Sequence, residues 1–496
     1  MALSRWSPRV GVTHHRALWS PDFPQPRGAA IIWPTRPVAQ FTCSRRDGRT
    51  LPCVAKRTSV PRPARSILIG FLLALLIGTI LLMLPIATVH EGGIDLLPAL
   101  FTATSALCVT GLIIVDTSSY WTPFGQVVIL ALIQIGGFGV MSFATILGYG
   151  VTGRLSFGSR LTTATEAHRP VGNIHSVLIG VLRTGLLIEV VVFLALTARF
   201  VTLGYGAGTS LWHGLFHAVS SFNNAGFALF PDNMMRFVGD WFIGVPLMAA
   251  TVLGGLGFPV LHQLAKDFRW PRKWTMNTRL VLFGSAALLV LSSIFITAAE
   301  WTNPDTLGPL PADEKILAGI FQAVQTRTAG FNSVDTGAMH DPTLFGMDLL
   351  MFIGGGPAGT AGGIKVTTVL VLFFIAWSEI RGRTAVNVLG KRLSRSVHRQ
   401  ALTVLLLAFS VVFGATMLIL ALSHHTLGDV LFEVVSAFGT VGLSTGITAS
   451  LDGGSQFVLV LLMIIGRLGP ITVATALATP GRRRATELPK ERPIIG

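Results

Sequence analysis

Charged residues are scarce in this 496-residue chain, and their scarcity excludes a set of ordinary soluble domains. Asp, Glu, Lys and Arg make up 12% of the residues, whereas 51% are hydrophobic. Soluble domains carry about 25% charged residues. Several nearly uncharged stretches are long enough to cross a hydrocarbon core of about 30 Å. They include 67–87, 124–151, 281–299 and 401–422. The composition therefore predicts an integral membrane protein in a lipid bilayer.

Cysteine is also rare, with three residues at Cys43, Cys53 and Cys108. Their odd number and their spacing argue against a disulfide framework and against a zinc site. The sequence also shows no nucleophile–base pair, metal-ligand cluster or phosphate loop at membrane depth. We therefore predict that the chain is not an enzyme and carries no covalently bound cofactor.

Residues 1–65 are rich in Arg and Pro and contain no long apolar run. The apolar stretch 29–33 is too short for the core of a signal peptide. We expect a disordered, basic cytosolic tail. An over-long gene start would give the same pattern, so the sequence leaves open whether this tail belongs to the working protein.

Basic residues give the chain a formal net charge of +15, but they are scattered between apolar segments. That pattern is typical of a membrane topology signal and argues against a nucleic-acid partner. In an eight-helix arrangement the basic segments all fall on one side, which the positive-inside rule makes cytosolic. Both termini are therefore predicted to be cytosolic. The basic segments are 1–65, 153–173, 266–279, 380–400 and 481–496.

One phrase recurs four times beyond the tail: a Phe, a stretch typical of a short helix, and a Gly. The copies run from Phe101 to Gly111, Phe216 to Gly226, Phe321 to Gly330, and Phe432 to Gly442. The third copy is one residue shorter than the others. A motif repeated at a nearly fixed period indicates repeated architecture.

Each copy lies between two apolar segments. The pairs are 66–89 with 122–152, 174–203 with 238–266, 277–300 with 344–378, and 398–423 with 454–478. We predict an all-α membrane protein of four helix–pore-loop–helix repeats around one central pore, with eight transmembrane helices and four re-entrant half-helices. The repeats would occupy 66–152, 153–266, 267–380 and 381–480, followed by a basic cytosolic tail at 481–496.

The end of each copy has the features of a cation-binding loop. Irregular backbone at membrane depth is tolerated where it is buried in protein or lines water. Its carbonyl oxygens can replace the hydration shell of a cation, and the preceding half-helix directs its negative end toward the ion. Four such loops would converge on one axis as a selectivity filter. Its residues would be Val109, Thr110, Gly111, Asn224, Ala225, Gly226, Thr328, Ala329, Gly330, Thr440, Val441 and Gly442.

The segments 104–112, 221–227, 326–333, 359–365 and 439–444 resemble the Trk/Ktr/HKT superfamily of K⁺ transporters. The resemblance covers about residues 66 to 480. It implies one strand of a K⁺ filter from each repeat, with the backbone carbonyls binding K⁺. Glycine in all four strands goes with K⁺ in that family, whereas Ser in the first loop marks Na⁺-selective plant members.

The resemblance also implies an assembly. The tail lacks the extra helix pair that Trk-type members usually carry, so the chain is most similar to the Ktr-type membrane subunit. Such subunits are plasma-membrane homodimers on a ring of cytosolic, RCK-type nucleotide-binding regulatory subunits. The sequence leaves open whether Na⁺ or H⁺ acts as a coupling or activating ion, and which nucleotide the partner binds.

A glycine-rich mark follows each loop, at 136–139, 254–257, 354–357 and 466–469. Small-residue helix packing explains it as well as a pore lining does. In the fourth mark Arg467 replaces the second glycine. If the glycines face the axis, Arg467 projects into the ion path and sets a barrier to cations. The alternative is a buried salt bridge with an acid such as Glu433.

The run 354–363 is too rich in Gly and Pro to hold a straight helix. By resemblance this run is an intramembrane gate. The alternative is a passive kink, with the Lys365 side chain extending to the membrane interface. The gate residues would be Gly354, Gly355, Gly356, Gly359, Gly362, Gly363 and Lys365.

Other polar residues carry weaker signals. Arg183 and Glu189 form an internal pair, or Arg183 lies near the cytosolic face. Arg327 flanks the third triplet and is expected to pair with a nearby acid; the alternative is that it tunes the outer mouth. Four histidines near the outer surface are expected to be solvated: His213, His217, His424 and His425.

Two functions compete with K⁺ uptake. One is a Na⁺-permeable member of the same superfamily. The other is an unrelated solute carrier with discontinuous helices, although carriers more often show two inverted repeats.

Overall fold

Helices dominate the structure of the chain. A computed structural model describes residues 63–90, 92–139, 174–383 and 385–469. The helices in these ranges are α1 (Pro63–Met83), α2 (Leu96–Cys108), α3 (Thr117–Tyr120), α4 (Pro123–Gly137), α5 (Ile174–Thr202), α6 (Ala207–Phe222), α7 (Trp241–Leu256), α8 (Phe258–Asp267), α9 (Met276–Glu300), α10 (Ala312–Gln325), α11 (Asp341–Phe352), α12 (Val366–Ile380), α13 (Arg395–Leu422), α14 (Leu427–Gly439) and α15 (Gly453–Leu468). One short antiparallel pair, β1 (Asn387–Val388) with β2 (Lys391–Arg392), places Asn387 opposite Arg392.

Three of the described helices are long and apolar enough to cross a membrane: the part of α5 from Ile179 to Thr202, α9 and α13. A fourth span is added if α7 and α8, which meet at a bend of 100°, count as one broken span. The predicted spans in 140–152 and 470–478 lie outside the described residues. The number of eight spans stays a prediction.

Four shorter helices, α2, α6, α10 and α14, lie where the half-helices were predicted. They contain 13, 16, 14 and 13 residues. At about 1.5 Å per residue they are roughly 20–24 Å long, less than the ~30 Å of a hydrocarbon core. Each carries the repeated Phe, and all four of these rings are buried. The rings anchor the short helices among the longer ones.

The predicted single helix over 238–266 is wrong, because the chain breaks at Gly257. This residue has φ +91°, a conformation that L side chains rarely adopt. Continuation of α7 is blocked by the loop 353–365, since the Phe258 N–H donates to the Ala358 carbonyl oxygen at 3.2 Å. The break therefore depends on a segment about 100 residues further along the chain.

Apolar side chains point outward along the long helices. Examples are Leu187 on α5, Leu291 on α9 and Phe409 on α13, all of them exposed. Contiguous exposed apolar surface of this kind marks a membrane or protein interface rather than a water-facing one. The polar loops and the short helices instead pack inward, where the predicted filter residues lie.

Candidate functional site

The four predicted triplets share one unusual backbone conformation. In each, the first residue is left-handed and the third is a glycine with positive φ. Positive φ is uncommon for residues other than glycine. Its occurrence at four matched positions shows that the loops are built alike. The first residues are Val109 (57°), Asn224 (61°), Thr328 (73°) and Thr440 (49°), and the glycines are Gly111 (92°), Gly226 (69°), Gly330 (78°) and Gly442 (94°).

The half-helix caps explain this conformation. At the end of α2, the Val109 N–H donates to the Ala106 oxygen (3.1 Å) and the Thr110 N–H to the Ser105 oxygen (2.8 Å). This is a Schellman cap, which requires a left-handed residue after the helix. The same pair of bonds closes α6 and α14. The Gly111 N–H adds a third bond, to Ser105 Oγ at 3.1 Å.

The caps leave the triplet carbonyls free, because the N–H groups turn back toward the half-helix. Within the described residues, no hydrogen bond ends on a triplet carbonyl oxygen. Three buried triplet hydroxyls, those of Thr110, Thr328 and Thr440, also lack a partner there. Buried oxygens are normally hydrogen-bonded. This set of unpaired oxygens is suited to bind a dehydrated cation.

The third triplet closes differently because its copy of the motif is one residue shorter. Ala329 and Gly330 both donate from their N–H groups to the Gln325 carbonyl oxygen, at 3.1 and 3.4 Å. Thr328 nevertheless keeps its left-handed conformation. The deletion is therefore absorbed in the cap and does not change the triplet itself.

The triplets meet in a closed ring. A Cβ placed at Gly111 would come nearer than 3.0 Å to the carbonyl oxygen of Ala225 in the second triplet. Gly226 stands in the same relation to Ala329, Gly330 to Val441, and Gly442 to Thr110. The order of these contacts runs once around all four triplets and returns to the first. Any side chain at these glycines would strike the neighbouring backbone.

The first glycine of the later glycine-rich mark packs against a half-helix. A Cβ at Gly136 would strike the carbonyl oxygen of Leu107. A Cβ at Gly254 would likewise strike the carbonyl oxygen of Phe222, and one at Gly466 the carbonyl oxygen of Phe438. Each of these carbonyls lies four residues before a triplet glycine. The packing interpretation of the mark therefore holds for this position in three of the four copies.

The predicted break over 354–363 is present, between α11 and α12. The loop is fastened by backbone hydrogen bonds to the end of α7: the Gly356 N–H donates to Gly255 O (2.7 Å) and the Thr360 N–H to Gly254 O (3.2 Å). It also contacts the triplets. Thr360 Oγ1 donates to Asn224 Oδ1 at 2.9 Å, and Gly362 lies against the Thr440 hydroxyl.

Arg467 joins this loop to a third element. Its Nη1 donates to the Thr360 carbonyl oxygen and its Nη2 to the Gly136 carbonyl oxygen. The predicted alternative, a salt bridge with Glu433, is wrong, because the Glu433 carboxylate accepts hydrogen bonds from Ser444 and Thr448. Lys365 also contacts the loop, since its Nζ donates to the Ala361 oxygen at 2.6 Å.

A buried polar cluster lies beside the second triplet. Glu189 of α5 accepts from Gln134 Nε2 at 3.0 Å and from Asn223 Nδ2 at 3.1 Å. Asn223 precedes the triplet residue Asn224. Of the two alternatives for Arg183, the internal pair with Glu189 is wrong, because the Glu189 carboxylate is bonded to Gln134 and Asn223 while Arg183 is exposed.

Two further expectations from the sequence are wrong. Arg327 contacts no acid among the described residues; its Nη1 donates to the Ser285 carbonyl oxygen at 3.0 Å. His217 was expected to be solvated, yet it is fully buried. Its place directly after a repeated Phe was the available sign of burial.

Two acidic side chains in the loops after the first and second triplets have a lowered pKa. Burial raises the pKa of Asp116, but hydrogen bonds from Ser118 and Ser119 outweigh this and hold that pKa below its ordinary value. The pKa of Asp232 is also lowered, since bonds and charge from Arg236 outweigh burial. The charge of Asp232 is balanced by its ion pair with Arg236, whereas a negative charge such as that of Asp116 raises the local concentration of cations.

Comparisons with known proteins agree with this geometry. The family described as TrkH, cation transport protein, matches residues 66–483. The Ktr system potassium uptake protein B of Bacillus subtilis is 37% identical over 417 residues, which cover 84% of this chain and 93% of the relative. The protein of the same name from Vibrio alginolyticus is 37% identical over 420 residues, with 84% and 91% covered.

A third relative and a solved structure extend the comparison. The potassium/sodium uptake protein NtpJ of Enterococcus hirae is 32% identical over 450 residues, with 89% of this chain and 98% of the relative covered. The crystal structure of the potassium transporter TrkH from Vibrio parahaemolyticus superposes with a TM-score of 0.65 at 17% identity. It covers 86% of this chain and 87% of its own. This likeness shows a shared fold.

The packing at Gly466 predicts a sharp difference between two glycine-to-alanine changes. Gly466→Ala should destabilise the protein by about 2 kcal/mol or more, since the new methyl would strike the Phe438 backbone and overpack the site. Gly414→Ala is the control, because nothing lies within 4 Å of that position on α13. Thermal unfolding of both purified variants in detergent measures the difference. Equal melting temperatures would contradict the packing.

Proposed function

The chain belongs to the TrkH family of cation transport proteins, and from that membership we propose that it takes up K⁺ across the plasma membrane through a selectivity filter formed by the four triplets. The closed ring of backbone contacts around the four glycines carries this proposal. The chain is an ion transporter and not an enzyme.

The filter would act through backbone oxygens. Free carbonyls from four strands replace the waters that K⁺ loses on entering, and the unpaired threonine hydroxyls of three strands add further ligands. The C-terminal ends of α2, α6, α10 and α14 bear partial negative charge, which lowers the free energy of a cation at the ring. Glycine is needed at the third position because its neighbour's carbonyl occupies the space of a Cβ.

K⁺ is favoured over Na⁺ as the transported ion. The names of the Bacillus and Vibrio relatives state potassium uptake, and all four filter strands here end in glycine. The name of the Enterococcus relative includes sodium, which supports Na⁺ as a coupling or activating ion. A Na⁺-permeable transporter remains the alternative that flux measurements decide.

The loop 354–363 would gate the pore. It contacts the second and fourth triplets through Thr360 and Gly362 and is fastened to α7 by backbone bonds. Arg467 holds it in place through the Thr360 carbonyl while bringing a fixed positive charge to the same region. Two effects therefore oppose ion flow when the loop is closed: the obstruction by the backbone and the repulsion by the guanidinium.

The repulsion is large enough to matter. At an effective dielectric constant of about 20 and a separation of about 4 Å, two unit charges interact by roughly 4 kcal/mol, and less where water enters. This energy acts on all cations alike. Arg467 should therefore set the rate of flux, whereas the ring should set its selectivity.

The wider assembly is also part of the proposal. The four repeats at 66–152, 153–266, 267–380 and 381–480 would span the membrane eight times, with both basic tails in the cytosol. The relatives named as parts of a Ktr system support a membrane subunit that works with others. We infer a homodimer regulated by a cytosolic, RCK-type nucleotide-binding subunit.

Gly111→Ser tests the filter. The added side chain meets the Ala225 carbonyl oxygen and strains a residue with φ +92°. We expect the K⁺/Na⁺ flux ratio in liposomes to fall at least about tenfold, the change that ~1.4 kcal/mol of lost discrimination gives. Gly414→Ser, in open space, should keep the original ratio. An unchanged ratio in well-folded Gly111→Ser protein would remove the filter assignment.

Arg467→Ala and Arg467→Gln test the barrier. Both remove the charge, but Gln can still donate to the Thr360 carbonyl oxygen. We expect both to raise K⁺ flux several-fold at constant K⁺/Na⁺ ratio, with the smaller rise in Gln if holding the loop contributes. Arg183→Ala, which removes an exposed arginine, is the control. Loss of thermal stability with unchanged flux per folded molecule would leave Arg467 only a structural role.

Shortening the loop 354–363 tests the gate. Removal of part of this segment deletes the obstruction and the contact with Arg467, so K⁺ flux should rise even without a cytosolic partner. Uptake by purified protein in liposomes measures the effect. Flux equal to that of the unaltered protein would mean that the segment is a passive kink.

A further inference from the structure

One position behind the triplets differs among the four half-helices. The residue directly after each repeated Phe is polar and buried: Thr102 is 2% exposed, His217 0%, Gln322 0% and Glu433 1%. Burial of polar side chains is costly unless they are hydrogen-bonded. The hydrogen-bond partners of each of these four side chains therefore indicate what the side chain does.

Glu433 holds the segment that follows the fourth triplet. Its carboxylate accepts from Ser444 Oγ and, at 2.9 Å, from Thr448 Oγ1. The same serine oxygen also accepts the Gly446 N–H at 2.8 Å. Residues 444–448 are thus fastened to α14 by one side chain.

His217 does the same for the second triplet. Its Nε2 accepts from the Leu229 N–H at 3.2 Å, three residues after Gly226. Since a backbone N–H can only donate, Nε2 carries no proton, and Nδ1 donates to the His213 carbonyl oxygen at 2.8 Å. The ring is also packed against Phe230, with centroids 5.3 Å apart. Its tautomer and its orientation are both fixed.

The remaining two positions make no such contact. Among the described residues, Thr102 Oγ1 and both polar atoms of the Gln322 side chain have no hydrogen-bond partner. In the cyclic order of the ring, the second and fourth triplets are opposite one another, and so are the first and third. The side chain directly after the repeated Phe therefore fastens the following segment in the second and fourth repeats, which lie on opposite sides of the ring, and not in the first and third.

We propose that Glu433 and His217 are positioning residues for ion discrimination, because they fasten the segments that follow two opposite filter strands. The inference rests on the proposed function of the triplets as the filter. Fastening the chain just after Gly442 and near Gly226 limits how far those carbonyls can move. A ring that cannot contract has less ability to fit a smaller ion such as Na⁺.

The test compares four variants by K⁺/Na⁺ and K⁺/Rb⁺ flux ratios in liposomes. Glu433→Ala and His217→Ala should each lower the K⁺/Na⁺ ratio about tenfold, which corresponds to ~1.4 kcal/mol. Glu433→Gln should recover part of the ratio, since its Oε1 still accepts from a hydroxyl. Thr102→Val is the matched control, because it occupies the same position without a partner, and should keep the ratio within about twofold.

Two results would overturn the proposal. One is an unaltered ratio in folded Glu433→Ala protein; the other is an equal loss in Thr102→Val. If Glu433→Ala does not fold, Ser444→Ala and Thr448→Val remove the same bonds from the other end, and unaltered ratios in both would overturn it as well. Gly111→Ser, measured alongside, distinguishes a failure of the filter assignment from a failure of the fastening proposal. If it shifts the ratio while Glu433→Ala does not, the filter stands and the fastening fails.

Discussion

Four backbone segments approach one another so closely that no side chain fits between them. The caps, the half-helices and the packing around them make this close approach possible. Each triplet glycine lies against the carbonyl of the next triplet. The contact requires positive φ at the glycine and a left-handed residue two positions earlier, which the Schellman caps supply in three copies. The caps in turn require half-helices at fixed positions. Buried Phe rings and the close packing of Gly136, Gly254 and Gly466 provide these positions.

The loop 354–363 and Arg467 depend on the same ring. Thr360 is the residue where they meet: its hydroxyl contacts Asn224 of the second triplet, and its carbonyl accepts from Arg467. A movement of the loop would therefore break contacts with both the filter and the arginine at once. Through Thr360 the loop can respond to a change at the second triplet or at Arg467, and neither response needs a direct contact between the triplet and the arginine. In the proposed mechanism, selectivity and gating are adjacent but separately adjustable.

Much of this site could be predicted from the sequence because it repeats. A triplet seen once carries little information, whereas four copies with matched flanks identify the half-helices and all twelve ring residues. The structure around residues outside the repeated motif is harder to predict from the sequence. The break at Gly257 depends on a loop about 100 residues away, and a Gly-Gly-x-Gly mark by itself is compatible with an unbroken helix. The histidine His217 carries no sign of burial by itself, and only its place directly after a repeated Phe indicates that it is buried.

The pairing of Arg183 with Glu189 failed for a geometric reason. At about 100° per residue, six positions turn an α-helix by roughly 240°, so the two side chains face different directions. Residues three or four apart would have met. Glu189 instead finds Gln134 and Asn223 on other helices, and contacts of that kind depend on tertiary packing that one sequence does not reveal.

The central claim is that the ring of four triplets passes K⁺ and rejects Na⁺. Flux of K⁺, Rb⁺ and Na⁺ through the purified, unaltered protein in liposomes tests it most directly. K⁺ and Rb⁺ should enter at similar rates, and Na⁺ should enter at least about tenfold more slowly. Equal entry of Na⁺ and K⁺, or entry of none of the three, would contradict it.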